Sequence, residues 1–417
     1  MSAGLRVARR RAIALAVVAL AAAAAAVAYL VLTRPPAGVR PRSQPALPRP
    51  AQPVPGIGVL RPTAESWRAA SGYHAYAYLI VGLALARRAA REPGRSLVYV
   101  SGTDVNRNWD TGVPYAQAAR HGWLLRDRSG RLLVNRSYPT NAVGDVGNPA
   151  YQRAWLGNVL RLLRRNGDSG VFIDDTIADL APLAGTEAPK YPTQGAWASA
   201  QLSFVRAVGP ALRARGYYVL VNASAYVPGN PASNDGTTTV AWWRQLAPYV
   251  SGLADEHYQE TSDGRDTLRT DGPAWDEGWS GWQRLVATAQ SLGRDFVGIA
   301  YGPAGDPGRM SYGRASFLLD WNGRGGAFVY QPTSQTSDPW NGAWTLDVGR
   351  PLAAKQRVGV AWLRRYSRGV ALVDPDPARA QRVDLGGRYL APGGGVVSEV
   401  TLPPATGLVL PRARLGG

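Results

Sequence analysis

The 417-residue chain contains no cysteine, which excludes disulfide staples and thiolate metal sites. Histidine is almost as scarce. His74, His121 and His257 lie far apart in the sequence and show no metal-ligand spacing such as HExxH. No metal or other cofactor is expected, and a metal site could only be built from carboxylates and carbonyls. Lysine is confined to Lys190 and Lys355, so the net charge of +18 is carried almost wholly by arginine. Eight of those arginines, and no acid, fall in the first sixty residues. The others are dispersed in short groups such as RAAR and RLLRR. A nucleic-acid binder would need a clustered basic face with interleaved aromatics or a known module, and neither is present. An anionic surface or substrate suits the charge better. Phenylalanine is also rare: five stand against fourteen tryptophans and nineteen tyrosines.

Arg6, Arg9, Arg10 and Arg11 precede an uncharged apolar run from Ala12 to Leu32. At helical rise such a run spans roughly 30 Å, the thickness of a bilayer core. With arginines ahead of it, residues 1–33 are expected to be a transmembrane anchor with the body outside the cytoplasm. A cleaved signal peptide, giving a secreted protein, is the rival reading, because the alanine run offers small-residue cleavage sites. Residues 34–55, RPPAGVRPRSQPALPRPAQPVP, are too rich in proline for helix or sheet and read as an extended linker.

From Gly56 onward, short apolar runs alternate with amphipathic stretches. The strand candidates are GIGVL (56–60), SLVYVSG (96–102), GWLLRD (122–127), GVFIDDT (170–176), YYVLVNAS (217–224), GLADEHY (252–258), DFVGIAYG (295–302) and GAFVYQP (326–332). Runs this continuous suit strands buried on both faces of a parallel sheet. RLLVNRS (131–137) offers GWLLRD an alternative role as a hairpin partner. Between the runs, PAYQRAWLGNVLRLLRRNG has helical spacing, Asn148 and Pro149 as a start, and arginines and glycine as a stop. Eight strand–helix units predict an α/β fold, a (β/α)8 TIM barrel over residues 56–365. From residue 366 to 417, short alternating runs punctuated by glycine and proline predict a small antiparallel β-unit. A monomer is expected.

Active sites of such barrels sit at the C-terminal ends of the strands. That rule selects Asp174 and Asp175 in GVFIDDT, and Glu256, His257 and Tyr258 in GLADEHY. It also selects Tyr99 and Asp104, Asn222, Tyr301, and Tyr330 with Gln331 at other strand ends. Asp255 reads as a turn residue, and Asp145 as a loop residue within reach of substrate. Asp174 and Glu256 supply the two carboxylates that glycoside hydrolysis needs. Asp175 is a third catalytic candidate, with a helix-capping or supporting role as its structural alternative. Asp174 is expected to be the nucleophile or base, stabilised by the hydroxyl of Thr176 and nearby backbone N–H. Glu256 is expected to be the general acid, its proton affinity raised by aromatic neighbours such as Tyr258 and opposed by His257 if that residue is protonated. Tyr99, Asp104, Asp145, Asn222, His257, Tyr258, Tyr301 and Gln331 are the candidate substrate contacts. Tryptophans in loop-like segments (Trp109, Trp275, Trp279, Trp282, Trp340 and Trp344) suit stacking on sugar faces, although single tryptophans more often pack the core.

At GVFIDDT, GLADEHY and WTLDVGRPL the sequence resembles glycosyl hydrolase-like family fifteen. It is more distantly similar to the endo-polygalactosaminidases, which carry a comparable strand ending in paired aspartates. The tail RRYSRGVALVDPDPARAQRVDLGGRYL resembles the same family's closing pattern, with Asp374 where asparagine is usual before the proline. The likeness runs from about Ser96 to Leu410, and residues 62–93 match poorly. It implies a barrel that hydrolyses a polysaccharide and places the family's acids on Asp174, Asp175 and Glu256. Two rivals stay open: a carbohydrate-binding barrel without catalysis, and a polysaccharide lyase or transferase on the same scaffold. Fractionation tests the membrane address. The full-length protein is expected in the membrane fraction with its body accessible from outside, and recovery as a soluble cytosolic protein would reject that.

Overall fold

The computed structural model describes residues 50–69, 73–108, 112–227, 230–234, 236–261, 267–271, 278–333 and 340–413. The expected membrane span, most of the linker, Trp109 and Trp275 lie outside them. Among the described residues no helix is long and apolar enough to cross a membrane.

Eight parallel strands close into a barrel: β1 (Val54–Leu60), β2 (Tyr76–Val81), β3 (Arg95–Ser101), β4 (Gly170–Asp174), β5 (Tyr218–Asn222), β6 (Gly252–Glu256), β7 (Asp295–Gly302) and β8 (Ala327–Pro332). Each pairs with its sequence neighbour, and β8 returns to β1. Seven of these strands overlap the expected runs. The third expected strand does not. Residues 122–127 belong to the connection after β3, where Arg126 bridges Leu132 across a turn at Asp127–Gly130. The hairpin alternative is therefore the structure. Its place in the barrel is taken by YAYLIV of β2, which passes through Gly82 into the apolar turn residues Leu83–Leu85 and a single helical turn from Ala86, so the apolar run has no boundary that periodicity detects.

Helices α1 (Ala64–Ala69), α2 (Ala86–Ala89), α3 (Pro149–Asn166), α4 (Gln194–Arg213), α5 (Gly236–Leu246), α6 (Trp279–Ser291) and α7 (Pro307–Asp320) follow the first seven strands. In α3, Asn148 caps the start by accepting from the Ala150 N–H at 2.9 Å, and Gly167 ends the helix in the left-handed conformation. Tyr151, Trp155, Val159 and Leu163 recur every four residues and are buried against the barrel. Among the described residues no helix follows β8. Trp344 instead packs on Phe328 of β8, with ring centroids 5.8 Å apart, and Trp340 packs on Tyr76.

The antiparallel unit has a four-stranded sheet ordered β9 (Gln356–Val358), β10 (Ala361–Arg365), β11 (Gly369–Asp374) and β14 (Thr406–Pro411), plus the hairpin β12 (Gln381–Leu390) and β13 (Val396–Leu402). This sheet packs on α7. Arg364 donates to the carbonyls of Leu318, Leu319 and Trp321 at the helix end, and Tyr366 adds a second donor to Leu318. Gly407 is needed for the close approach, since a Cβ there would lie 2.6 Å from Tyr312 Cα.

Inside the barrel, Leu97, Phe172, Leu220, Ala254, Ile299 and Val329 form an apolar layer. The barrel floor is polar: Tyr78 and Tyr218 both donate to Asp295 Oδ2, and Arg95 lies 3.9 Å from the Tyr218 ring centroid.

Asp374 ends β11 fully buried, and its Oδ2 has no hydrogen-bond partner among the described residues. Burial pushes its carboxyl up to about 7. In the fold it keeps its proton through a range where the unfolded chain has already lost it. Stability should therefore fall as pH rises from about 4 to about 7. Asp374→Asn, which restores the residue usual in the resembling family, should raise the melting temperature at pH 8 and leave it unchanged near pH 3. An equal shift at both values would show that ionisation of Asp374 is not the cause.

Candidate active site

Two residues beyond the apolar layer, the same strands carry Tyr99, Asp174, Asn222, Glu256, Tyr301 and Gln331. Alternation along a strand turns every second side chain inward, so these six share the C-terminal mouth. Asn222 is the hub. Its Nδ2 donates to Asp174 Oδ1 at 2.8 Å and to Glu256 Oε2 at 2.9 Å. Tyr99 donates to the other oxygen of Asp174, and Tyr301 donates to Glu256 Oε1 at 2.7 Å. Gln331 is buried at the end of β8, in register with Tyr301.

The carboxylates differ in surroundings. Burial raises the proton affinity of Glu256, and the charge of Asp174 raises it further, against the Tyr301 and Asn222 hydrogen bonds. The expected support of Asp174 by Thr176 is absent: the Thr176 hydroxyl is buried with no partner among the described residues, and the Thr176 N–H goes to the Asn222 carbonyl. Tyr99 and Asn222 do that work. His257 packs beside Tyr301, with ring centroids 5.0 Å apart. Burial works against its proton, but Glu260, Glu256 and Asp255 outweigh burial and raise its proton affinity.

Asp175 turns away from Asp174 with φ 55° and lies behind it. Ser101 donates to it at 3.2 Å, and it shares a hydrogen bond with Asp104. Asp104 is also held by Asn135 and Asn141, at 2.9 and 2.6 Å. Burial pushes Asp104 up to about 6 and raises Asp175 well above the ordinary aspartate range, with Asp174 next in effect on Asp175. Two carboxyls in contact keep a proton between them. Asp104 thus belongs to a supporting layer rather than to the mouth.

Three sequence candidates lie elsewhere. Tyr258 is fully buried against Phe296, and its hydroxyl meets Gln283 of α6. Asp145 is buried between Lys190 and Tyr191, where it ties together the connections that follow β3 and β4. Tyr330 faces the helices and donates to the Pro303 carbonyl at 2.9 Å. Asp255 is a strand residue, not a turn residue. It faces outward from β6, fully buried, and burial lifts it to about 7. Nor do the described loop tryptophans form a groove. Trp279 and Trp282 are core residues of α6, Trp340 is buried against Tyr76 of β2, and Trp344 is buried against Phe328 of β8.

Two residues escaped the sequence reading. Glu260 is fully buried, pairs with Arg309 at 3.1 Å and His257 at 3.5 Å, and accepts from the Tyr301 N–H. His257 is only three residues away, but only tertiary structure brings Arg309 and the Tyr301 N–H to Glu260. Arg61 follows β1 directly, so the strand-end rule could have found it. Its guanidinium carbon lies 5.3 Å from the Tyr99 ring centroid. Burial acts against its charge, and Tyr99, Tyr301, Asp174 and Glu256 together outweigh that. Arg61, Asp175 and His257 all have positive φ (42°, 55° and 60°) immediately after strands β1, β4 and β6. Such backbone costs about 1–3 kcal/mol per residue and collects where a site demands it. Among the described residues no three His, Asp or Glu side chains are grouped to hold a metal.

The sequence matches the profile of hypothetical glycosyl hydrolase family 15 over residues 99–370. The chain belongs to this family. As a member of this hypothetical family it is a glycoside hydrolase on an eight-stranded parallel barrel with added antiparallel sheets. No curated protein sequence matches it. Among solved structures it is similar to the glycoside hydrolase domain of PelA from Pseudomonas aeruginosa, at 16% identity and TM-score 0.43, over 68% of this chain and 96% of that one. It is also similar to Aspergillus fumigatus Ega3 in complex with galactosamine, at 12% identity and TM-score 0.36, over 62% of this chain and 81% of that one. A maltogenic α-amylase, AmyB from Thermotoga neapolitana, aligns over 87% of this chain and 89% of its own, at 12% identity and TM-score 0.45.

The shared proton makes a test of the paired aspartates in this glycoside hydrolase. Asp175→Asn keeps a neutral donor beside Asp104 and should leave turnover within a few-fold of wild type. Asp175→Ala should lose stability by leaving Asp104 without that partner. If Asp175→Asn abolishes turnover on a glycan the enzyme cleaves while the fold persists, Asp175 works as an anion.

Proposed function

We propose that the protein is an exported, membrane-tethered hydrolase that cleaves a polysaccharide with retention of anomeric configuration, using Asp174 and Glu256. The observation that supports this is the shared amide of Asn222. Both carboxylates accept from one nitrogen atom, so their facing oxygens can be no further apart than the two hydrogen bonds end to end. Retaining enzymes hold their carboxyls about 5–5.5 Å apart, whereas inverting enzymes leave about 6.5–9.5 Å for a water. Neither carboxylate is locked in an ion pair among the described residues, which favours catalysis over a binding-only barrel.

In this mechanism Asp174, accepting hydrogen bonds from Tyr99 and Asn222, attacks the anomeric carbon. Glu256, with raised proton affinity, gives its proton to the departing glycosidic oxygen. A glycosyl ester forms on Asp174. Glu256 then takes a proton from water as that water attacks the same carbon, releasing Asp174 and returning the proton. Tyr301 orients Glu256, and Glu260 holds the Tyr301 backbone and His257 in place. The export part of the proposal rests on the arginines ahead of the uncharged run in residues 1–33.

Asp174→Asn and Glu256→Gln should each lower turnover by about 10²–10⁴-fold on natural substrate without unfolding the protein. An aryl glycoside with a good leaving group separates the roles. Glu256→Gln should release a burst of aryl alcohol and then stall, with azide restoring turnover. Asp174→Asn should give no burst. The opposite pattern would reverse the assignments, and a first-formed product of inverted configuration would overturn the retaining mechanism.

A further inference from the structure

We infer that Arg61 selects a sugar carrying an anionic group, a carboxylate or a sulfate ester, in the subsite over Asp174 and Glu256. This inference rests on the proposed hydrolase reading and names its substrate class. Arg61 stands at the end of β1 in the mouth of the barrel, its backbone N–H bound to the Ile80 carbonyl and its guanidinium near the Tyr99 ring. Its charge is within reach of Asp174 and Glu256. A guanidinium serving only as their counter-ion would sit in contact with one of them. Instead the carboxylate oxygens are occupied by Tyr99, Asn222 and Tyr301. Among the described residues Arg61 makes no ion pair, and its buried Nε has no hydrogen-bond partner. A forked donor set in a carbohydrate site, with a buried N–H unmatched, is suited to an oxyanion that presents two acceptor oxygens side by side.

The chemistry of the reaction strengthens the case. Positive charge develops at the anomeric carbon in the transition state. An unpaired guanidinium next to it opposes the reaction, whereas one paired with an anionic substituent of the same sugar does not. The chain as a whole agrees in sign: its net charge is +18, which draws acidic polymers.

Because a basic protein attracts any polyanion, the test uses short oligosaccharides at physiological salt. Calorimetry on the full-length Glu256→Gln protein would compare oligogalacturonate and oligomannuronate with their carboxyl-reduced forms, and sulfated with unsulfated oligodextran. At least one acidic member should bind more tightly than its neutral counterpart. Adding Arg61→Gln should remove roughly 10–100-fold of that affinity, the scale of a charge-assisted pair. The neutral sugars should bind unchanged, and Arg128→Gln should have no such effect. Arg61→Lys, which keeps charge but loses the fork, should fall between. The arms distinguish carboxylate from sulfate. Equal binding of acidic and neutral sugars, or a preference that survives Arg61→Gln with the melting temperature unchanged, would overturn the inference. Wild-type cleavage of neutral glycans, equal with and without Arg61, would also overturn it while leaving the hydrolase reading intact. Arg61-dependent acidic binding with no cleavage of any bound sugar would uphold it and overturn the hydrolase reading.

Discussion

Everything at the mouth of this barrel depends on the two-residue alternation of a closed parallel sheet. Once Leu97, Phe172, Leu220, Ala254, Ile299 and Val329 face inward as one layer, the residue two further along each strand must also face inward. A polar side chain at that place has no apolar alternative and no helix to pack on. It must find its partners across the mouth. Asn222 satisfies two carboxylates at once, and the two tyrosines satisfy the outer oxygens, so the groups that would do chemistry also close one another's hydrogen bonds.

The aromatic excess has a different use from the one that sugar chemistry suggests. Trp155, Trp242 and Trp243 are buried in the helical layer, and each indole N–H reaches a carbonyl at a strand end or just beyond it: Ser101, Thr176 and Ala223. A tryptophan fills the space between helix and barrel while giving its single donor to backbone that has left the sheet ladder. These bonds hold the starts of the loops after β3, β4 and β5. That rigidity is what allows left-handed backbone to persist at Asp175, because the surroundings over-determine it.

Legibility followed the strength of local signals. GVFIDDT and GLADEHY end in acids after unbroken apolar runs, so both strand and site were visible from sequence. Asn148 before Pro149 marked its helix start to the residue. The second barrel strand was not visible, because YAYLIV merges with apolar helix-forming residues. GWLLRD has strand-like composition, but its exchange of hydrogen bonds with residues 131–133 makes it a hairpin beside the barrel. Tyr258 failed for a related reason. Its neighbours point to the site, but the backbone reverses at His257 and sends the phenol into the core.

The sequence by itself determined the parallel barrel class, the antiparallel tail and the strand-end position of Asp174 and Glu256. These follow from patterns that repeat over a few residues: apolar runs, helix caps and acids at strand ends. Tertiary structure alone decided which polar groups meet. Asp104 and Asp175 are 71 positions apart and share a hydrogen bond; Glu260 reaches Arg309; Asn222 spans Asp174 and Glu256. Such contacts are set by barrel closure and by the direction each chain takes on leaving its strand. No local spacing encodes them, because the partners are brought together only when distant strands are placed around one axis.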